Sequence, residues 1–502
     1  MGFGNWTKNH RLVAPNDFLA AGVNSMKAGN WGAQGIAGIR PARHRSLARV
    51  ATIQRLLRSG ECLFAVIALL VLSGAVSPLL HQLLGVSMGA GGGSSLTRAL
   101  LAPIYLIAGA VALLHFRTTI DAALRFPWAI VLPIFALLST YWSISPEFTV
   151  RRSLGWCATT MVGIYFATRF EPAQLLRLLA WSLGSAAVVS LAVYLISPSV
   201  GVLSNGAYSG ALRGVFITKN DLGRSMALAM VTLLVLRTHQ SGHRWLTLGG
   251  LLLSGVLILL SESLTAVIAV VMVIGLLRFY RVLHRSVAGA VLMVIGFLLI
   301  VGIPAIFLAS EAETILQAAG RDITLSGRTV LWTFVLDSIR QQPWVGYGFS
   351  AFWTESNSAA SSILAEIHWN TPHAHNGFLD LMVELGVAGL ALFLIGFGVA
   401  LVRATRALRS SEGTCMLWPL TYLTFLFMYN LTESASFKQG SIYWVLYVAT
   451  FCSQGWATTG IGGLGRPAGL RPRSVLSLGV RSRIRHRASL GSPRRSLQGE
   501  RP

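Results

Sequence analysis

Three histidines crowd the run Ile367-His368-Trp369-Asn370-Thr371-Pro372-His373-Ala374-His375-Asn376-Gly377. An imidazole takes a proton near neutral pH, so His373 and His375 are both candidates for a general base acting on a hydroxyl. A zinc site would need more ligands. No cysteine is near and Glu366 is the only neighbouring acid, which makes a poor set for a metal. Histidines that only cap a helix or pack a loop are the third reading. A second polar run, Arg213-Gly214-Val215-Phe216-Ile217-Thr218-Lys219-Asn220-Asp221, holds two cations and an amide. A guanidinium fork grips oxyanions bidentately, so Arg213, with Lys219 and Asn220 beside it, suits a phosphate. Anchoring at an interface, or a pair with Asp221, is the plainer alternative. Asp380 and Glu384 stand four residues apart, which on a helix puts both on one face. Glu262 sits in the short Ser261-to-Thr265 connection.

These residues must be positioned by elements that the composition identifies. Of 502 residues, 53% are hydrophobic and only 12% charged, against about 25% charged in a soluble domain. The apolar residues gather in blocks near 62–80, 99–116, 126–142, 154–168, 174–197, 222–236, 245–261, 263–280, 287–309, 378–400, 416–431 and 440–455. A bilayer core takes about 20 residues of helix. The expectation is an all-α polytopic membrane protein with about 12 transmembrane helices. Trp128, Trp142, Trp245 and Trp444 stand at block ends as interfacial anchors do. Cys62, Cys157, Cys415 and Cys452 form no CxxC pair and read as small apolar residues.

Charge sets the orientation. The two tails and alternate connections hold 31 Lys/Arg and six acids, whereas the remaining segments hold ten Lys/Arg and twelve acids. Basic segments stay cytoplasmic, so both termini are expected inside a cytoplasmic membrane. The net charge of +23 is then a topology signal, not a nucleic-acid footprint. Residues 1–60 form a basic cytoplasmic tail with no cleavable leader pattern. Residues 457–502, rich in Gly, Pro, Ser and Arg, form a second basic tail with the composition of a disordered segment, and contact with anionic lipid is its functional alternative. Residues 61–456 are the membrane domain.

Between the ninth and tenth blocks lies a connection spanning residues 310–377, on the outer side by this count. Loops of this length are usually functional. It contains an amphipathic helix near Ser326 to Arg340, with Val330, Leu331, Phe334, Val335 and Ile339 on one face, Ser326 as a cap and Pro343 as a stop. Pro343 to Phe349 reads as an aromatic turn. The histidines, Arg213 and Arg328 all belong to outer segments, and Asp380, Glu384 and Glu262 lie near the same interface. A proton-coupled transporter would carry its titratable groups near the midplane. Polar groups gathered at one face instead favour surface chemistry on a lipid-anchored substrate.

At these residues the chain resembles the O-antigen ligase and polymerase superfamily, and most of all its exopolysaccharide polymerases of the succinoglycan type. The resemblance rests on His375-Asn376, nine residues, Gly386, two residues and Gly389. It also rests on Gly327-Arg328 with Leu331-Trp332, on Arg213, Gly214, Phe216 and Asn220, on Pro343, Gly346 and Gly348, and on the Ser261-to-Thr265 hairpin. Lys219 stands where many ligases have proline, and Glu262 where a small or basic residue is usual.

The resemblance implies transfer of glycan from an undecaprenyl-pyrophosphate donor at the periplasmic face of a bacterial inner membrane. It would need no metal and no cofactor, and no DxD motif occurs. Arg213 and Arg328, supported by Lys219 and Asn220, would hold the pyrophosphate. His375 would take the acceptor's proton in an inverting displacement, with His373 as rival base and Asn376 or Glu384 to orient it. Trp353, Trp369 and Tyr347 would either stack on sugars or pack the loop. The product would be an exopolysaccharide polymer. Ligation to lipid A core is the alternative, and transport of a glycan lipid a more distant one. Implied partners are the lipid-linked glycan, membrane lipid, a chain-length regulator and a flippase, and no nucleic acid.

Overall fold

A computed structural model describes residues 57–85, 94–203, 209–237, 244–286, 328–354, 357–367, 371–410 and 417–453. Among them the regular structure is helical, and the one extended pairing is an isolated antiparallel bridge between Val202 and Leu212. The helices in chain order are α1 (Leu57–Leu72), α2 (Ser77–Leu84), α3 (Ser95–Leu114), α4 (Phe116–Arg125), α5 (Trp128–Leu138), α6 (Pro146–Arg169), α7 (Pro172–Ile196) and the short α8 (Pro198–Gly201). They continue as α9 (Lys219–Arg237), α10 (Arg244–Leu260), α11 (Leu264–Arg285), α12 (Arg328–Gln341), α13 (Ser358–Ile367), α14 (Gly377–Ser410), α15 (Leu417–Thr432) and α16 (Ile442–Cys452).

Four of these, within α3, α7, α11 and α14, are long and apolar enough to cross a membrane. Two bent pairs bring the number of such spans to six: α1 with α2 at 76°, and α4 with α5 extended to Tyr141 at 92°. The block at 62–80, expected as one span, is thus broken, whereas the block at 126–142 is one helical run bent away from the helix before it. Gly74, at φ 84°, lies at the first break, and Pro127 at the second. The segment 117–125, expected as a connection, is helix α4. Five more expected blocks are occupied by α6, α9, α10, α15 and α16, which are shorter or more polar. The block at 287–309, Cys415, Ser326, and both basic tails up to Arg55 and from Gln454 lie outside the described residues.

Packing explains why short helices serve. Every residue of α16 is buried, as a helix apolar on all sides must be. It packs on α6 through small residues, the usual way membrane helices approach closely. A Cβ on Gly163 would meet the Val448 side chain at 2.5 Å. Trp444, expected as an interfacial anchor, is instead in the core at 1% exposure. There it donates to Thr160 Oγ1 (2.8 Å) and packs on Trp156. Trp245 is exposed, Trp128 half-buried, and Trp142 donates to the Val345 carbonyl (3.0 Å).

The helix expected before Pro343 is found as α12, though α13 behind it is not visible in the pattern. Leu331, Val335 and Ile339 are buried while Val330 faces out. The turn after α12 enters a break in α14. At Gly386 (φ 66°, ψ −169°) that helix is non-helical. The carbonyls freed at Val383 and Glu384 accept from the N–H groups of Tyr347 (3.0 Å) and Gly348 (2.9 Å). Those of Pro343 and Trp344 accept from Val387 (2.8 Å) and Ala388 (3.1 Å). A peptide turn thus supplies the hydrogen bonds that the break removes, as backbone at membrane depth requires.

Candidate active site

The ends of α6, α9, α10, α11, α14, α15 and α16 come together with the loop helix α12 at one end of the bundle, and nearly all the residues singled out for chemistry are there. They converge on a side chain that the sequence did not mark. Glu433, one residue past α15, is 5% exposed. Its carboxylate pairs with Arg328 Nη2 (2.9 Å), accepts from Asn220 Nδ2 (2.9 Å), and meets His375 Nδ1 at 3.3 Å. Arg328 also donates from Nη1 to the Thr432 carbonyl (2.6 Å). Burial alone would raise the Glu433 carboxyl. The His375 hydrogen bond and the charges of His375, Arg328 and Arg224 overcome that and lower it to about 2. Glu433 sits in an ordinary polar run, Thr432-Glu433-Ser434, with no spacing that links it to a residue more than fifty positions earlier. Only its place as an acid at the outer end of an apolar block distinguished it.

Arg224, in the first turns of α9, was also passed over. It is 8% exposed, pairs with Asp221, and lies with its guanidinium carbon 5.1 Å from the Tyr443 ring centroid. Lys219 donates to the Glu262 carbonyl (3.4 Å), and Ser263 Oγ donates to Asn220 Oδ1 (3.3 Å). The Ser261-to-Thr265 hairpin therefore braces the start of α9, with Glu262 in the left-handed region at φ 50°.

His375 itself has φ 52°, a conformation that costs a non-glycine residue about 1 kcal/mol or more and clusters at functional sites. Its loop is pinned on both sides. Ala374 N–H donates to Asp380 Oδ1 (2.9 Å), which also accepts from Trp353 Nε1 (2.8 Å). The Ala374 carbonyl accepts from Trp332 Nε1 (2.8 Å). The Asn376 side chain bonds on both sides of the loop. Its Oδ1 caps α14, accepting from Phe378 N (3.0 Å), and its Nδ2 donates to the Leu431 carbonyl (3.2 Å). Glu384 lies two turns along α14, in the wall of a cavity of about 550 Å³ that His373 and Trp353 also line. Glu433, which the sequence did not mark, is in contact with His375.

His373 and His375 have ring centroids 4.1 Å apart. His373 Nδ1 accepts from the His375 backbone N–H (3.3 Å). Burial first, and the neighbouring His375 second, hold the His373 imidazole well below the usual range. A neutral ring whose Nδ1 accepts carries its proton on Nε2, so His373 is arranged as a donor. Tyr347 donates to the Ser338 carbonyl (3.1 Å) and packs on Phe352, as Trp353 does. Trp369 lies outside the described residues. Arg213 takes a different place. Its Nε donates to the Val200 carbonyl (3.1 Å), and it lines a cavity of about 260 Å³ with His81 and Gln82 of α2. Gly214 beside it is at φ 57°, where a Cβ would lie 2.6 Å from Ser190. No group of three or more His, Cys, Asp or Glu side chains is placed to hold a metal ion among the described residues.

The sequence has relatives among known proteins. Residues 249–394 match the O-antigen ligase family. That stretch takes in α11, α12 and the His375 loop, while Arg213, Asn220 and Glu433 lie outside it. The chain is similar to the exopolysaccharide production protein ExoQ of Rhizobium meliloti, with 27% identity over 309 residues, 60% of this chain and 70% of that one. A Rickettsia typhi protein named as a polysaccharide ligase is 37% identical over 70 residues, 13% of this chain and 17% of its own. The resemblance read from the motifs is borne out.

Proposed function

We propose that the protein is a membrane glycosyltransferase that polymerises lipid-pyrophosphate-linked repeat units of an exopolysaccharide at the periplasmic face, inverting and without a metal. The observation that carries this reading is the shared Glu433 carboxylate, bound by His375, Arg328 and Asn220 together. His375 Nδ1–H donates to Glu433, which leaves Nε2 with a lone pair for the acceptor's hydroxyl proton. The hydroxyl oxygen attacks the anomeric carbon from the side opposite the leaving group. The C–O bond to the lipid pyrophosphate breaks, its electron pair leaves with the pyrophosphate, and the anomeric centre inverts. Glu433, held anionic, stabilises the imidazolium that forms, the role of the acid in a hydrolase triad. Arg328, tethered by only part of its five-donor fork, has N–H groups left for the departing phosphate. Lys219, beside Asn220 at the start of α9, would support it, whereas Arg213 lines the separate cavity with His81.

The test is purified protein given lipid-linked repeat unit in the presence of EDTA. A ladder of products supports polymerisation without a metal, and the ladder should vanish in His375→Ala at equal expression. A single transfer product on lipid A core, with no ladder, would select the ligase alternative, which the names of the Rickettsia relatives favour.

A further inference from the structure

The cavity beside the histidine loop has no part in the proton transfer just described. Its volume of about 550 Å³ lies within the range of small-ligand sites. Two cations face it, Arg152 from α6 and Lys438 from the α15–α16 connection. Arg152 is fixed over the Phe148 ring, 5.1 Å from its centroid. Among the described residues neither cation forms an ion pair. Arg328 and Arg224, by contrast, are paired with acids, Glu433 and Asp221. The wall also holds two acids. Asp380 is committed to Ala374 and Trp353, which leaves Glu384 against two cations. Arg152 is half-buried and Lys438 reaches the cavity from an exposed position, so an anion entering the cavity meets two cations that no carboxylate among the described residues pairs with.

We propose that this cavity is the acceptor-glycan site and that Arg152 and Lys438 grip the carboxylate of an acidic sugar in it. The inference rests on the glycosyl-transfer reading above. Trp353 offers its ring in the wall, with its N–H held by Asp380. Glu384 can accept from sugar hydroxyls. His373 lines the same cavity with its ring 4.1 Å from that of His375, so a sugar seated there presents a hydroxyl beside the base. The site thereby selects an acidic repeat unit over a neutral one.

The test is calorimetric titration of the full-length protein in lipid nanodiscs with two probes, cellobiouronic acid and neutral cellobiose. The acidic disaccharide is expected to bind about tenfold more tightly, as charged hydrogen bonds allow. Lys438→Ala and Arg152→Ala should each bring the preference down to about twofold or less while cellobiose binding persists, which also shows that the variants fold. Lys438→Gln and Arg152→Gln provide the same reading if either alanine variant is unstable. Equal binding of the two disaccharides by wild type, or a preference that survives in the variants, overturns the proposal. So does displacement of cellobiouronic acid by inorganic pyrophosphate, which would assign the cations to the donor. Wild type that builds polymer yet shows no acid preference sinks this inference alone. An acid preference without any glycosyl transfer sinks the functional reading and upholds the site.

Discussion

His375 and Glu433 set the chemistry at the scale of single residues. Glu433→Gln keeps the volume and one acceptor oxygen but loses the charge that stabilises an imidazolium. Its turnover should fall by about 10²–10⁴-fold, as when a triad acid is neutralised, with donor affinity changing far less. Steady-state kinetics on the lipid-linked donor would separate the two. The same carboxylate links stability to pH. Its folded value, about 2, lies below the ordinary 4.5. Its stabilisation is therefore complete above pH 4.5 and is lost as pH falls through 4.5 toward 2. The gap in thermal stability between wild type and Glu433→Gln should be widest above pH 4.5 and close with acid. A gap that does not vary with pH would show that charge is not what Glu433 contributes. His373 acts in the same direction. Held neutral in the fold, it makes folding less favourable below the ordinary histidine value of 6.5, where only the unfolded chain takes up the proton.

The elements that matter most are α14 and the turn threaded into it. Gly386 is at φ 66°, and a Cβ there would collide with the Trp344 backbone. Gly386→Ala should destabilise the protein by about 2 kcal/mol or more, combining left-handed strain with a backbone clash. Gly398, farther along the same helix, has open space around its Cβ position, and Gly398→Ala should be neutral or stabilising by up to about 1 kcal/mol. Thermal unfolding in detergent would compare the two. Asp380 works through the loop that it holds. Asp380→Ala frees Ala374 and Trp353 together and should lower turnover by about 10–100-fold, the usual cost of removing a supporting contact. Asp380→Asn, which keeps an acceptor, should recover part of it. Equal losses in the two variants would point to charge instead of loop position.

At the scale of the whole molecule, the distribution of charge predicts sidedness. The site gathers segments that the charge count places outside, while Arg169 and Glu61 join the opposite end of α6 to α1 through a bidentate pair of 2.6 and 3.0 Å. Alkaline phosphatase fused after Thr371 should be active, and fused after Gly413 or at the C-terminus inactive. Activity at both would place two expected inner segments outside and break the charge rule on which the orientation stands. The bundle is also held by contacts that charge does not describe. Trp156 stacks on Phe349 at 4.8 Å, which docks the turn after α12 onto the core through α6.

Helical class, membrane residence and the family's motif residues were legible in the chain because they depend on local composition and on spacing along it. Apolar blocks, basic connections and the run from His373 to Gly389 are properties of neighbours in sequence. The break between α1 and α2, and helices α4 and α13, were not legible, because a block long enough to span reads the same whether straight or bent and a short helix outside such a block reads as a connection. Trp444 at a block end looks interfacial until the partner helix α6 covers it. Glu433 shows the limit most plainly. One acid near the end of an apolar stretch has no pattern of its own. It became the hub of the site only when folding brought α9, α12, α14 and α15 to one end of the bundle, where a buried carboxylate needs donors that the nearby sequence does not supply.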